Sequence, residues 1–160
     1  GSVWPHDTTM VAVGLRKYGF DEDFNRIFEA LLEAASHSAG YRLPELFAGF
    51  SKAEFGTPVP YPVACQPQAW AAGSIPYLLK SGLGLNADAM ANRLRILRPS
   101  LPRWVNRVEV RGLRVADSSV DLLFERAGAG SVTLSDVRIE GDVDVTLEIR
   151  ASRDPTPLGG

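Results

Sequence analysis

Three short clusters carry residue types that suit carbohydrate chemistry. The first is Trp4-Pro5-His6-Asp7, directly before an expected helix. There an aromatic, an imidazole and a carboxylate would line a sugar subsite. An aromatic face covers the C–H surface of a sugar, and a carboxylate accepts hydrogen bonds from its hydroxyls. The second cluster is Arg42-Leu43-Pro44-Glu45-Leu46-Phe47, in which Glu45 is a candidate catalytic carboxylate. The third runs from Pro60 through Tyr61, Cys65, Gln66 and Gln68 to Trp70. Its two glutamines beside Tyr61 and Trp70 are hard to explain as packing, because buried amides need partners that sugar hydroxyls would supply. Each cluster also has an ordinary architectural reading. Asp7 would cap a helix with Trp4 in the core. Pro44 and Glu45 would open another helix, where proline fits the first turn and the dipole favours an acid. The third cluster would be a proline-pinned turn into a buried helix.

Other chemistries find little support. The sequence has no phosphate-binding glycine loop, no Cys/His set at metal-ligand spacing and no Gly-x-Ser-x-Gly elbow. His37 ends an amphipathic segment and reads as a surface residue near a helix C-terminus. Seventeen basic residues against nineteen acidic ones leave a net charge of −2, which argues against a general attraction to nucleic acid or to an anionic membrane. The single cysteine, Cys65, excludes an intrachain disulfide. No apolar run approaches the ~20 residues of a membrane helix. At 160 residues, 45% hydrophobic and 22% charged, the chain is large enough to bury a real core.

The elements that must position these clusters change character near residue 93. Residues 1–92 read as helical. Phe24, Ile27, Phe28, Leu31, Leu32 and Ala35 mark one helix face, with Asp21 as N-cap and Gly40 as stop. A shorter helix is expected from Thr8 to Lys17. A third is expected from Pro67 to Ser81, kinked at Pro76 and apolar nearly all round, hence buried among other helices. Residues 93–153 read as antiparallel strands. Val120, Leu122 and Phe124 alternate with Asp121, Leu123 and Glu125, and Val143, Val145, Leu147 and Ile149 alternate likewise. Their apolar faces are expected to pack together or onto the helices. Gly128 with Gly130, and Gly141-Asp142, mark turns, and Gly112 suggests a bulge in a strand at Val108–Val115. Residues 154–160 read as a disordered tail.

Several motifs in order resemble one family. Val3-Trp4-Pro5-His6-Asp7, Gly14-Leu15-x-x-Tyr18-Gly19, Leu43-Pro44-Glu45-Leu46-Phe47-x-Gly49 and Tyr61-Pro62-x-x-Cys65-x-Pro67-Gln68-Ala69-Trp70-Ala71-Ala72-Gly73 are similar to the C-terminal portion of bacterial amylo-α-1,6-glucosidase, or glycogen-debranching-like, proteins. The likeness continues through Arg98-Pro99-x-Leu101-Pro102 and the valine-rich strands. It implies an α+β chain: the final helices of an (α/α)6 toroid, then a small antiparallel β segment. It implies hydrolysis of α-1,6-glucosidic bonds by an inverting pair of carboxylates, with Glu45 as the general base and the general acid upstream of Gly1. Trp4, His6, Asp7, Tyr61, Gln68 and Trp70 would bind an α-glucan or oligosaccharide substrate. Asp7 is a weaker candidate for the second carboxylate. The resemblance implies no metal or organic cofactor and a cytoplasmic setting. The upstream part of the toroid would belong to the same parent chain, so the isolated chain would be inactive.

Two other readings remain. One is a non-catalytic module that binds oligosaccharide or a partner chain through Trp4, Tyr61 and Trp70. The other is a related trehalase- or glucoamylase-like toroid hydrolase. Further helices and an acidic motif encoded upstream would favour the enzyme, and a start codon at this point would favour the module.

Overall fold

The computed structural model describes residues 1–149. The elements run β1 (Ser2–Val3), α1 (Pro5–Lys17), α2 (Asp21–Ser36), β2 (Phe47–Ala48), α3 (Lys52–Phe55) and α4 (Ala69–Gly82). Strands follow: β3 (Leu85–Asp88), β4 (Arg93–Leu97), β5 (Arg107–Val115), β6 (Ser118–Arg126), β7 (Val132–Glu140) and β8 (Asp144–Glu148). They form two compact units. The first is Gly1–Gly82 with Ser100–Val105, and the second is Leu83–Pro99 with the chain from Asn106 onward. A boundary at residue 93 would part β3 from its hairpin partner β4. The end of the expected β segment at 150–153 and the expected tail at 154–160 lie outside the described residues.

In the first unit, the apolar period of α2 buries Phe24, Phe28, Leu31, Ala34 and Ala35. Asp21 lies in the first turn of α2 rather than at its N-cap, which is Phe20. α1 opens on Pro5, carries Asp7 in its first turn and ends on Arg16 and Lys17, as the helix dipole favours. Ala12 and Val13 of α1 and Ala71 and Leu78 of α4 join the α2 residues in one core, with Leu43 and Phe47. Arg16 ties the three helices. Its Nε donates to the Ser81 carbonyl at 2.7 Å, and one Nη donates to the Gly82 carbonyl at 3.1 Å, at the end of α4. The other Nη pairs with Asp21 at 2.9 Å, and the guanidinium lies 5.1 Å from the Phe24 ring centre. Arg16→Ala removes a donor from the Ser81 carbonyl and the ion-pair partner of Asp21, while the Gly82 carbonyl keeps the Ser100 N–H at 2.7 Å. The substitution should cost about 3 kcal/mol, read as a lower midpoint in urea unfolding with an unchanged slope.

The toroid expectation is corrected. The described residues form a mixed α+β fold with four helices and three small sheets, and no toroid is evident among them. The reason lies in α4. A toroid helix buries both flanks, but α4 buries one face, at Ala71, Ser74, Leu78 and Gly82. Ala69, Trp70, Ala72 and Gly73 lie exposed, so the all-round apolar reading overstated its burial. Small residues raise mean hydropathy without demanding a partner. Among the described residues no helix is long and apolar enough to cross a membrane.

The short α3 places Lys52 against the Glu33 carboxylate of α2. The Lys52 hydrogen bond and charge hold the Glu33 carboxyl below its usual range. A lowered folded pKa contributes stability that is complete above the unfolded pKa and is lost as pH falls through the folded one. Lys52→Met should therefore lose a small, salt-sensitive increment near neutrality. That difference should vanish in acid, as measured by urea unfolding at both pH values.

The second unit holds two three-stranded sheets. The order β5-β6-β7 is antiparallel throughout. Val120, Leu122 and Phe124 are buried on one face of β6. The register slips between Val110 and Leu113, so Gly112 marks a bulge. It takes a φ of 61°, and its N–H donates to Asp121 Oδ1 at 2.7 Å. The other sheet runs β3-β4-β8, and there the antiparallel expectation fails: β8 pairs with β4 in parallel, Arg93 opposite Asp144 through Leu97 opposite Glu148. Leu94 and Ile96 are fully buried, while Arg95 reaches Glu148 at 2.7 Å. The alternating pattern of β8 specifies a half-buried strand but not the direction of its neighbour. The Val120 and Val143 strands thus belong to different sheets.

Candidate functional site

All three sequence clusters lie in the first unit, and three separate contacts join them. The first contact is a two-strand ladder. β1 pairs with β2, with Val3 opposite Phe47, so the chain entering Trp4 runs beside the Leu46-Phe47 segment. The second is a reciprocal pair of bonds. The Glu45 N–H donates to the Cys65 carbonyl at 2.9 Å, and the Cys65 N–H donates to Glu45 Oε2 at 3.1 Å. Gln66 Nε2 adds a bond to the Arg42 carbonyl at 3.2 Å. The third is a ring contact: the His6 imidazole stacks on the Trp70 indole, with centroids 5.4 Å apart and planes at 21°. The first and third clusters thus meet although more than sixty positions separate them.

Local chemistry explains each placement. Trp4 takes the extended N-cap conformation of α1, and its carbonyl accepts the Thr8 N–H at 2.9 Å. Pro5 follows in the first turn, so His6 and Asp7 stand at a rigid helix entrance. Their side chains are 39% and 72% exposed, with His6 Nδ1 3.4 Å from Asp7 Oδ1. The helix expected at Arg42–Phe47 does not form. Leu43, Pro44, Leu46 and Phe47 are buried instead, and Phe47-Ala48 joins β1. Phe47 also bridges to Pro60, and the Ala48 N–H donates to the Val59 carbonyl at 3.0 Å. Glu45 is half-buried between these buried neighbours.

The two glutamines part company. Gln66 is exposed and its amide braces the Arg42 loop. Gln68 sits at the entrance of α4, where its carbonyl accepts the Ala72 N–H at 2.9 Å. Its side-chain Oε1 is buried and accepts no hydrogen bond among the described residues. α4 starts at Ala69, so Pro67 precedes the helix instead of sitting in its first turn. Trp70, in that first turn, is 55% exposed, and Tyr61 is 43% exposed on the incoming loop.

No protein-family model matches this chain, and no curated protein matches it.

The Cys65 backbone amide, which steadies the Glu45 carboxylate, cannot be read from the sequence, because backbone donors leave no trace in residue type. Thr9 is a further polar group of this region, 1% exposed with an Oγ1 that makes no hydrogen bond among the described residues. A threonine three positions after His6, on the buried stripe of α1, is the sequence signal for it. Among the described residues no group of three or more His, Cys, Asp or Glu side chains could hold a metal ion. The arrangement offers an exposed aromatic platform and carboxylates at Asp7 and Glu45, a set that fits sugar C–H faces and hydroxyls together.

Proposed function

We propose that the first unit grips an α-glucan and belongs to an amylo-α-1,6-glucosidase-type hydrolase, in which Glu45 is the general base. What supports the reading is the convergence of the three clusters through the β1–β2 ladder, the Glu45–Cys65 bonds and the His6–Trp70 stack. Trp70 and Tyr61 would cover the C–H faces of glucose units. Asp7 would accept from hydroxyls, and Trp4 would wall the subsite. In an inverting hydrolysis the base takes a proton from the water that attacks the anomeric carbon. An acid protonates the leaving oxygen across a gap of ~6.5–9.5 Å. Cys65 holds Oε2 of Glu45, which leaves its other oxygen for the water. The acid belongs to another part of the parent protein, so this chain is expected to bind glucan without hydrolysing it.

A second reading is a binding module without catalysis. It is favoured by the exposure of Trp70 and Tyr61 on a unit whose helices share one core with Leu43 and Phe47. Calorimetric titration of the chain with panose and maltoheptaose tests what both readings share. Trp70→Ala should weaken binding roughly tenfold, the size expected for a lost aromatic platform. Equal affinity of wild type and variant would remove the site from this surface. Branch-point hydrolysis by the parent then separates enzyme from module.

A further inference from the structure

We infer that His6 is a positioning residue for the Trp70 indole: it holds one face of the platform so that a sugar meets the other. The inference rests on the carbohydrate reading above and concerns how that site is kept ordered. Trp70 lies in the first turn of α4 and is 55% exposed. A large exposed side chain loses rotamer freedom when a ligand lands on it, and that loss weakens binding unless something orders the ring beforehand. The His6 imidazole does so. It stacks on the indole at 5.4 Å and 21°, within the range at which aromatic pairs attract. The backbone that carries the imidazole is fixed, because His6 stands one residue after buried Pro5 at the start of α1. With His6 on one side, the accessible half of Trp70 faces away from α1's entrance. An aromatic pair of this kind is worth roughly two- to tenfold in an equilibrium.

The test uses the whole chain with His6→Ala, His6→Phe and Trp70→Leu. His6 and His37 are the only histidines, so the imidazole ring protons are readily assigned by NMR. In the wild type those of His6 should be shifted upfield by the indole and should return downfield in Trp70→Leu, while His37 stays put. Panose titration should show binding roughly three- to tenfold weaker in His6→Ala and restored to within about twofold in His6→Phe, which stacks but cannot hydrogen-bond. Acrylamide quenching of the Trp70 emission, taken by difference against Trp70→Phe, should rise in His6→Ala and stay low in His6→Phe. His6 protons insensitive to Trp70→Leu would overturn the stack. Failure of His6→Phe to restore affinity, with low quenching, would overturn the positioning role and make the imidazole a direct sugar ligand. If the wild type binds neither panose nor maltoheptaose, the carbohydrate reading fails. The ring shifts and the quenching still decide whether His6 orders Trp70.

Discussion

On the proposed reading, Glu45→Gln in the parent hydrolase is expected to lower turnover by roughly 10²-fold or more, with substrate affinity retained and stability nearly unchanged. The geometry separates these effects. Cys65 donates to Oε2 of Glu45, and the Glu45 N–H returns a bond to the Cys65 carbonyl. A glutamine keeps an oxygen that accepts the same amide, so the loop stays latched and only the basic oxygen is lost. Were Glu45 merely a brace, Gln would be silent in both turnover and melting. Asp7→Asn should behave differently. A gripping carboxylate holds ground state and transition state alike, so KM should rise at least as much as kcat falls. Steady-state kinetics on a branched α-glucan distinguish the two patterns.

Gly84→Ala should destabilise the second unit by about 4 kcal/mol, the upper range for a single substitution. Two mechanisms add. Gly84 holds a φ of 71°, where a side chain is strained. A Cβ there would also run into the Leu97 backbone, 2.7 Å from both its nitrogen and its carbonyl carbon. Neither atom can yield cheaply, since the Leu97 N–H donates to the Gly84 carbonyl at 2.9 Å and closes the β3–β4 end of the sheet. Gly128→Ala is the control, because a Cβ at Gly128 meets nothing within 4 Å. Urea unfolding followed by far-UV circular dichroism should show a large midpoint shift for the first variant and little for the second. Equal midpoints would contradict the close approach of Gly84 to Leu97.

Regular elements with a strong period were legible in the sequence. Phe24, Phe28, Leu31 and Ala35 specify α2 through their spacing, and Val120, Leu122 and Phe124 specify the buried face of β6. Gly112 announced its bulge. Features decided by distant partners were not legible. The two-residue strands β1 and β2 are too short to show a period and exist only through each other. The parallel pairing of β8 with β4 leaves no local mark. Leu43-Pro44-Glu45 carried helix-start residue types, yet burial of Leu43, Leu46 and Phe47 and pairing of Phe47-Ala48 with β1 won over that propensity.

The candidate site was legible as three clusters but not as one place. Residue types flagged Trp4, His6, Asp7, Glu45, Tyr61, Gln68 and Trp70, whereas their convergence depends on backbone bonds and a ring stack between segments far apart in sequence. That convergence has a direct test. Isotope-labelled chain titrated with panose in an NMR experiment should show shift changes at the amides of His6, Asp7, Glu45, Cys65 and Gln68 and at the Trp70 indole N–H, all following one dissociation constant. Changes confined to a single cluster, or clusters that titrate with different constants, would contradict a single site built from all three.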